Sequence, residues 1–143
     1  MAHWSNAYIG IPHSDRGMSR EGVNCWTLVC LVYQEQLGIS LPTYQEDFVS
    51  LDEYREVEAL FHGERVRQTW QLVDQPAAFD VAVFRRGRHL THVGIVVRQG
   101  LMLHVTGGGA VALERYDSGQ WKPRLQHLYR HVDAVPALAA EAA

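Results

Sequence analysis

Cys25, His92 and His104 are the residues whose types and spacing suit nucleophilic chemistry. A thiolate attacks carbonyl carbon readily, and an imidazole can take the thiol proton and later return it. A lone cysteine is more often a packed core residue than a nucleophile, so residue type alone decides nothing. Position does more. Cys25 falls in the first turn of a predicted helix, just after Asn24, a good capping type. The free amides and dipole of a helix N-terminus stabilise a thiolate there. Cys30, five residues on and about 140° around the helix, reads as core.

The two histidines can be tested geometrically. If Arg98-Gln99-Gly100 is a three-residue loop with a left-handed Gly100, Val97 faces Leu101 and His104 lies opposite Gly94. His104 then shares a face with His92, two residues along, and Gly94 places no side chain between them. A two-residue loop, Gln99-Gly100, would send the rings to opposite faces.

The elements that must hold these groups follow from periodicity. Residues before Val23 show none; Gly10-Ile11-Pro12 and Asp15-Arg16-Gly17 read as turns. Apolar residues at helical spacing predict a helix from Val23 to Leu37, stopped by Gly38. A second helix is predicted from Leu51 to His62, with Ser50 and Glu53 as a capping box. Thereafter the period shortens to two. Strands are predicted at Val66–Val73, Asp80–Arg85, His92–Val97, Leu101–Thr106, Ala110–Arg115 and Leu125–His131, with turns at Arg86-Gly87 and Gln99-Gly100. Helices first and strands afterwards imply an α+β domain whose antiparallel sheet packs on the first helix.

Composition excludes several classes. The chain has 143 residues, 47% hydrophobic and 20% charged, which suits one domain with its own core. Thirteen basic against sixteen acidic residues argue against a dedicated nucleic-acid binder. The longest apolar run, Leu28 to Tyr33, is far short of the ~20 residues a membrane helix needs. No secretory signal is read at the start. His89-x-x-His92 and His127-x-x-x-His131 have zinc-like intervals but lack a third nearby ligand, so no metal or other cofactor is expected. Arg85-Arg86-Gly87-Arg88 reads as a solvated turn, and Trp70 and Trp121 as core or sheet-edge aromatics. Residues 1–133 form one domain; the Ala-rich end, 134–143, reads as a frayed tail.

Tyr8-Ile9-Gly10-Ile11-Pro12-His13, then Gly22-Val23-Asn24-Cys25-Trp26-x-Leu28-Val29, resembles the opening of the NlpC/P60 cysteine peptidases. That family has a G-x-P-Tyr segment followed by a D-C-x-G-L-V helix start that carries the nucleophile. His92-Val93-Gly94-Ile95 resembles its H-V-G-I strand, whose histidine is the base. His104 falls where the family places its third, orienting residue, and Asp80-Val81-Ala82-Val83-Phe84 resembles its P-G-D-L-V-F strand. The likeness covers about residues 8–115. Asn24 stands for the usual Asp, Thr27 for Gly, Phe79 for Gly, and His13 for a tyrosine close to the nucleophile.

The resemblance implies a papain-like fold in which Cys25 attacks an amide carbonyl, His92 is the base and His104 orients it. It implies an oxyanion and substrate site formed by the Cys25 amide with His13, Asn24 and Trp26. It further implies a peptidoglycan stem peptide as substrate, cut after D-glutamate. The compact build and Leu41-Pro42-Thr43-Tyr44 are most similar to tail-associated members. Those are made in the cytoplasm, built with other tail proteins into phages or phage-like particles, and act on the wall. The rival expectations are an amidase, an acyltransferase or a delivered toxin on the same scaffold, or a tail component without activity.

Overall fold

The fold is taken from a computed structural model that describes residues 3–42, 69–86 and 89–134. The predicted second helix, the strand portion before Thr69, the turn residues 87–88, Thr43-Tyr44 and the tail beyond Ala134 lie outside these residues.

The first helix, α1, spans Cys25–Val32, and six of its eight residues are buried. Asn24 starts it through a reciprocal pair of bonds. Its Oδ1 accepts from the Thr27 amide at 2.8 Å, and Thr27 Oγ1 accepts from the Asn24 amide at 2.8 Å. Such a cap contributes about 1 kcal/mol. Thr27 also donates to the Gly17 carbonyl at 2.7 Å, so the residue replacing the family glycine ties the helix start to the preceding turn. The predicted helix continues to Leu37, but Tyr33–Leu37 widens into a π turn. Gly38, at φ +66°, closes it in the left-handed conformation that suits glycine. Cys30 is half-buried against the core instead of wholly inside it.

The segment expected to be irregular holds a short 3₁₀ turn, Trp4–Ala7, and a two-residue hairpin of β1 (Met18–Ser19) and β2 (Gly22–Val23). Strands this short leave no alternation to read. The remaining strands are β3 (Trp70–Leu72), β4 (Val81–Arg86), β5 (His89–Arg98), β6 (Leu101–His104), β7 (Ala112–Arg115) and β8 (Leu125–His131). They form one antiparallel sheet in the order β3-β8-β4-β5-β6-β7. The class is α+β, as the pattern predicts.

Both faces of the sheet centre are buried. Val81, Val83, Val93, Ile95 and Leu103 join α1 in the larger cluster. Ala82, Phe84, Val96 and Met102 pack under Tyr116 and Trp121, which the β7–β8 connection supplies. This second core is absent from the pattern-based expectation, because its cover has no period of its own.

The β5–β6 turn corrects one detail. Arg98 pairs with Leu101, so the loop is the two-residue Gln99-Gly100, with Gly100 at φ +87°. The register then shifts between Val96 and Arg98, leaving Val97 as the extra residue of a bulge. Val96 therefore meets Met102 and Ile95 meets Leu103, the pairing a three-residue loop would have produced.

Two further contacts anchor the sheet near α1. Phe79, the one non-glycine residue with positive φ among those described (+74°), stacks on Trp4 at 4.5 Å, and its carbonyl accepts from the Tyr33 hydroxyl. A left-handed phenylalanine is strained by roughly 1–2 kcal/mol, which this packing offsets. Asp80 is buried and held by Arg130 of β8: Nε to Oδ1 at 2.9 Å and Nη2 to Oδ2 at 2.9 Å, with the Ala77 amide also on Oδ2 at 2.8 Å.

Candidate active site

Residues 10–14 tie together the chain entering α1 and the chain leaving β6. The Gly10 amide donates to the Val111 carbonyl at 2.8 Å, and the His13 amide to the Gly109 carbonyl at 2.9 Å. On the other side the Val23 amide donates to the Pro12 carbonyl at 3.0 Å, and the Ser14 amide to the Val23 carbonyl at 2.9 Å. Cys25 follows as the first residue of α1, wholly buried and in no disulfide. It shares the larger core cluster with Val93 and Val105, the residues that follow the two histidines in sequence.

The histidines are in direct contact. His92 Nε2 and His104 Nδ1 are 2.9 Å apart, with the rings edge to face at 79°. Gly94 leaves the necessary space: a Cβ there would stand 2.5 Å from Met102 Sδ and 3.4 Å from His104 Cβ. The same-face expectation thus holds, through the bulge.

Two partners were not expected from sequence. Glu114 Oε1 lies 2.8 Å from His104 Nε2, and Gln120 Nε2 donates to Glu114 Oε2 at 3.4 Å. Pairing of His104 with Ala112 makes Glu114 its diagonal neighbour on the same face, so a register through β7 would have found it. Trp121 stacks on His92 at 4.7 Å and 23°, meets His104 edge-on at 5.1 Å, and meets Phe84 at 5.1 Å. It is buried, as a core aromatic should be, but nothing in its sequence context points to an imidazole.

His13 is bridged to Val23, two residues before Cys25, and its amide donates to the Gly109 carbonyl. Its side chain is largely buried, and its Nε2 makes no hydrogen bond among the described residues; Asp15 Oδ1 is 3.9 Å away. Asn24 and Trp26 both make structural contacts at the start of α1. The Asn24 oxygen caps α1 and its Nδ2 donates to the Asp15 carbonyl at 2.9 Å. Trp26 is buried, and its Nε1 donates to the Pro42 carbonyl at 2.9 Å. The polar groups of Asn24 and Trp26 thus have partners within the chain.

The sequence profile of the NlpC/P60 family matches residues 10–130. The chain belongs to the NlpC/P60 family. No curated protein matches it significantly in sequence. Among solved structures it is similar to an NlpC/P60 family protein from Bacillus cereus, with a TM-score of 0.65 and 16% identity over 90% of this chain and 38% of that one. A lipoprotein-like NLP/P60 protein of Staphylococcus aureus matches with a TM-score of 0.61 and 22% identity, over 88% and 38%. The NlpC/p60 domain of the peptidoglycan hydrolase SagA matches with 0.61 and 20%, over 88% and 92%. The chain thus spans 38% of the length of the first two proteins and nearly all of the SagA domain. At these identities the likeness is one of fold.

Electrostatics within this NlpC/P60 domain follow from burial. Burial pushes the His104 imidazole below its ordinary value, and the bond and charge of Glu114 only partly oppose it. Burial likewise lowers His131, with Asp133 opposing. Both rings are therefore neutral in the folded chain at neutral pH, and both bind protons more readily once unfolded. Stability is full above about pH 6.5 and falls with acidification toward the depressed folded values, by at most about 1.4 kcal/mol per pH unit for each ring. Melting temperatures taken from about pH 8 to 5.5 should decline. A flat or rising series contradicts this account.

Proposed function

We propose that this chain is a cysteine peptidase that hydrolyses an amide bond in the stem peptide of bacterial peptidoglycan. The observation that carries this reading is the hydrogen-bonded His92–His104 pair in a member of the NlpC/P60 family. The naming of SagA, a similar fold, as a peptidoglycan hydrolase supports the substrate class.

In the proposed chemistry His92 Nδ1 takes the Cys25 thiol proton, since its Nε2 is engaged by His104. The sulfur bonds to the scissile carbonyl carbon, and the carbonyl electron pair moves to oxygen. The Cys25 amide at the head of α1 and His13 Nε2, which has no hydrogen bond among the described residues, are the donors for that oxyanion. Collapse expels the amine, which receives the proton from His92 and leaves a thioester. Water, deprotonated by His92, then releases the carboxylate and restores the thiol. His104 holds His92 in position, as the third member of such triads does.

The finer reading is a cut after D-glutamate, before the diamino acid, by an enzyme carried on a phage or phage-like tail. Purified protein incubated with defined muropeptides, its products read by mass spectrometry, tests both substrate and bond. Cleavage after D-glutamate, blocked by a thiol-alkylating reagent, is the expected result. Release of the whole stem at muramoyl-L-alanine makes it an amidase, and product joined to an added amine makes it an acyltransferase. Intact muropeptides, or cleavage indifferent to alkylation, overturn the proposal.

A further inference from the structure

Glu114, His104 and His92 form a series of contacts: 2.8 Å from Glu114 Oε1 to His104 Nε2, then 2.9 Å from His104 Nδ1 to His92 Nε2. A neutral imidazole has one N–H, so one nitrogen donates while the other accepts. An isolated pair of such rings has two self-consistent arrangements. Either each ring donates from Nε2, which leaves Nδ1 of His92 bare, or each donates from Nδ1, which leaves a proton on Nδ1 of His92. Only the first arrangement lets that atom receive a proton. An ionised carboxylate accepts and never donates, so a carboxylate at one end of the series removes the ambiguity.

We infer that Glu114 is a positioning residue that fixes the direction of the protons along the two imidazoles, so that His92 presents an unprotonated Nδ1. The charge states fit. Burial works to raise the Glu114 carboxyl, but the bonds from His104 and Gln120 and the neighbouring imidazole outweigh it and hold the group below its ordinary value. His104, lowered by burial, remains a neutral ring between two partners. Gln120 Nε2 on the second carboxylate oxygen, at 3.4 Å, steadies the plane. Trp121, packed against both rings, limits the access of water that would offer either nitrogen an alternative partner. The role resembles that of the buried aspartate in serine-protease triads, which holds a histidine in one tautomer, but here it acts through a second histidine.

The consequence for catalysis rests on the reading of Cys25 and His92 as the reacting pair; the proton arrangement does not. Two measurements therefore separate them. Nitrogen-15 spectra of histidine-labelled protein at neutral pH should give His92 and His104 both as Nε2–H tautomers. Glu114 is 40% exposed, so Glu114→Gln leaves the fold intact. Its neutral amide can donate as well as accept, so an Nδ1–H form of His92 should become populated. On a muropeptide its kcat should fall about tenfold or more while KM stays within about twofold. An Nδ1–H form of His92 in the unaltered protein, or spectra and kcat unmoved by Glu114→Gln, overturns the inference. Full activity in a Cys25→Ala variant instead overturns the peptidase reading, while the tautomer spectra judge the inference on their own.

Discussion

In a Cys25→Ala variant, hydrolysis of a stem peptide falls by about 10⁴-fold or more, because without sulfur no thioester forms and His92 has nothing to activate. The loss is expected in kcat, with KM changing little by comparison. Stability changes little by comparison. Cys25 is wholly buried, so removing one sulfur atom leaves a small void costing about 1 kcal/mol. In a chain of this size that lowers the melting temperature by roughly 2–4 °C. Initial rates on a defined muropeptide and a melting curve check both halves. A variant that keeps its lytic rate shows that Cys25 is not the nucleophile and overturns the cysteine-peptidase reading.

Arg130→Ala carries the largest expected stability effect. It strips Asp80 of both guanidinium bonds and leaves a buried carboxylate with the Ala77 amide. Breaking a buried pair from one side costs about 3–5 kcal/mol. Arg130 is partly exposed (24%), so water and salt reduce this to about 2–3 kcal/mol. That is a drop of roughly 5–10 °C in melting temperature. The deficit also has a pH signature. Burial already raises the Asp80 carboxyl against the lowering effect of Arg130. Without the cation the folded value rises further above the unfolded one, so the deficit is full at neutral pH and shrinks as pH falls through that value. Melting curves of both proteins at about pH 7 and pH 5 should converge on acidification; a gap that widens disproves the assignment. Adding Asp80→Asn to the variant should recover part of the loss, since no charge is then stranded.

What sequence revealed follows from the range over which each signal acts. The capped start of α1 and the left-handed Gly38 are local chemistry, readable from Asn24 and from the glycine after Leu37. His92 and His104 were placed on one face by counting through a turn and by noting Gly94. The count succeeded although the loop was one residue shorter than supposed, because the Val97 bulge makes up the difference. The π turn at Tyr33–Leu37 leaves no mark, since its apolar positions satisfy ordinary helical spacing. Glu114 and Trp121 escaped because each matters through contacts across strands, and a charged residue in a strand usually faces solvent. His13 was visible only as a departure from a family pattern; that its buried nitrogen has no hydrogen bond among the described residues needed coordinates.

The surplus residue at Val97 has an evolutionary corollary. Twelve positions separate the two imidazoles, and the turn between them acts as a ruler whose parity matters more than its length. Gain or loss of one amino acid there drives a ring through to the far side of the sheet, unless a second irregularity compensates. Changes by two conserve the arrangement. Lineages descending from this chain should therefore tolerate paired insertions at the tip and discard single ones, whatever residues the tip contains.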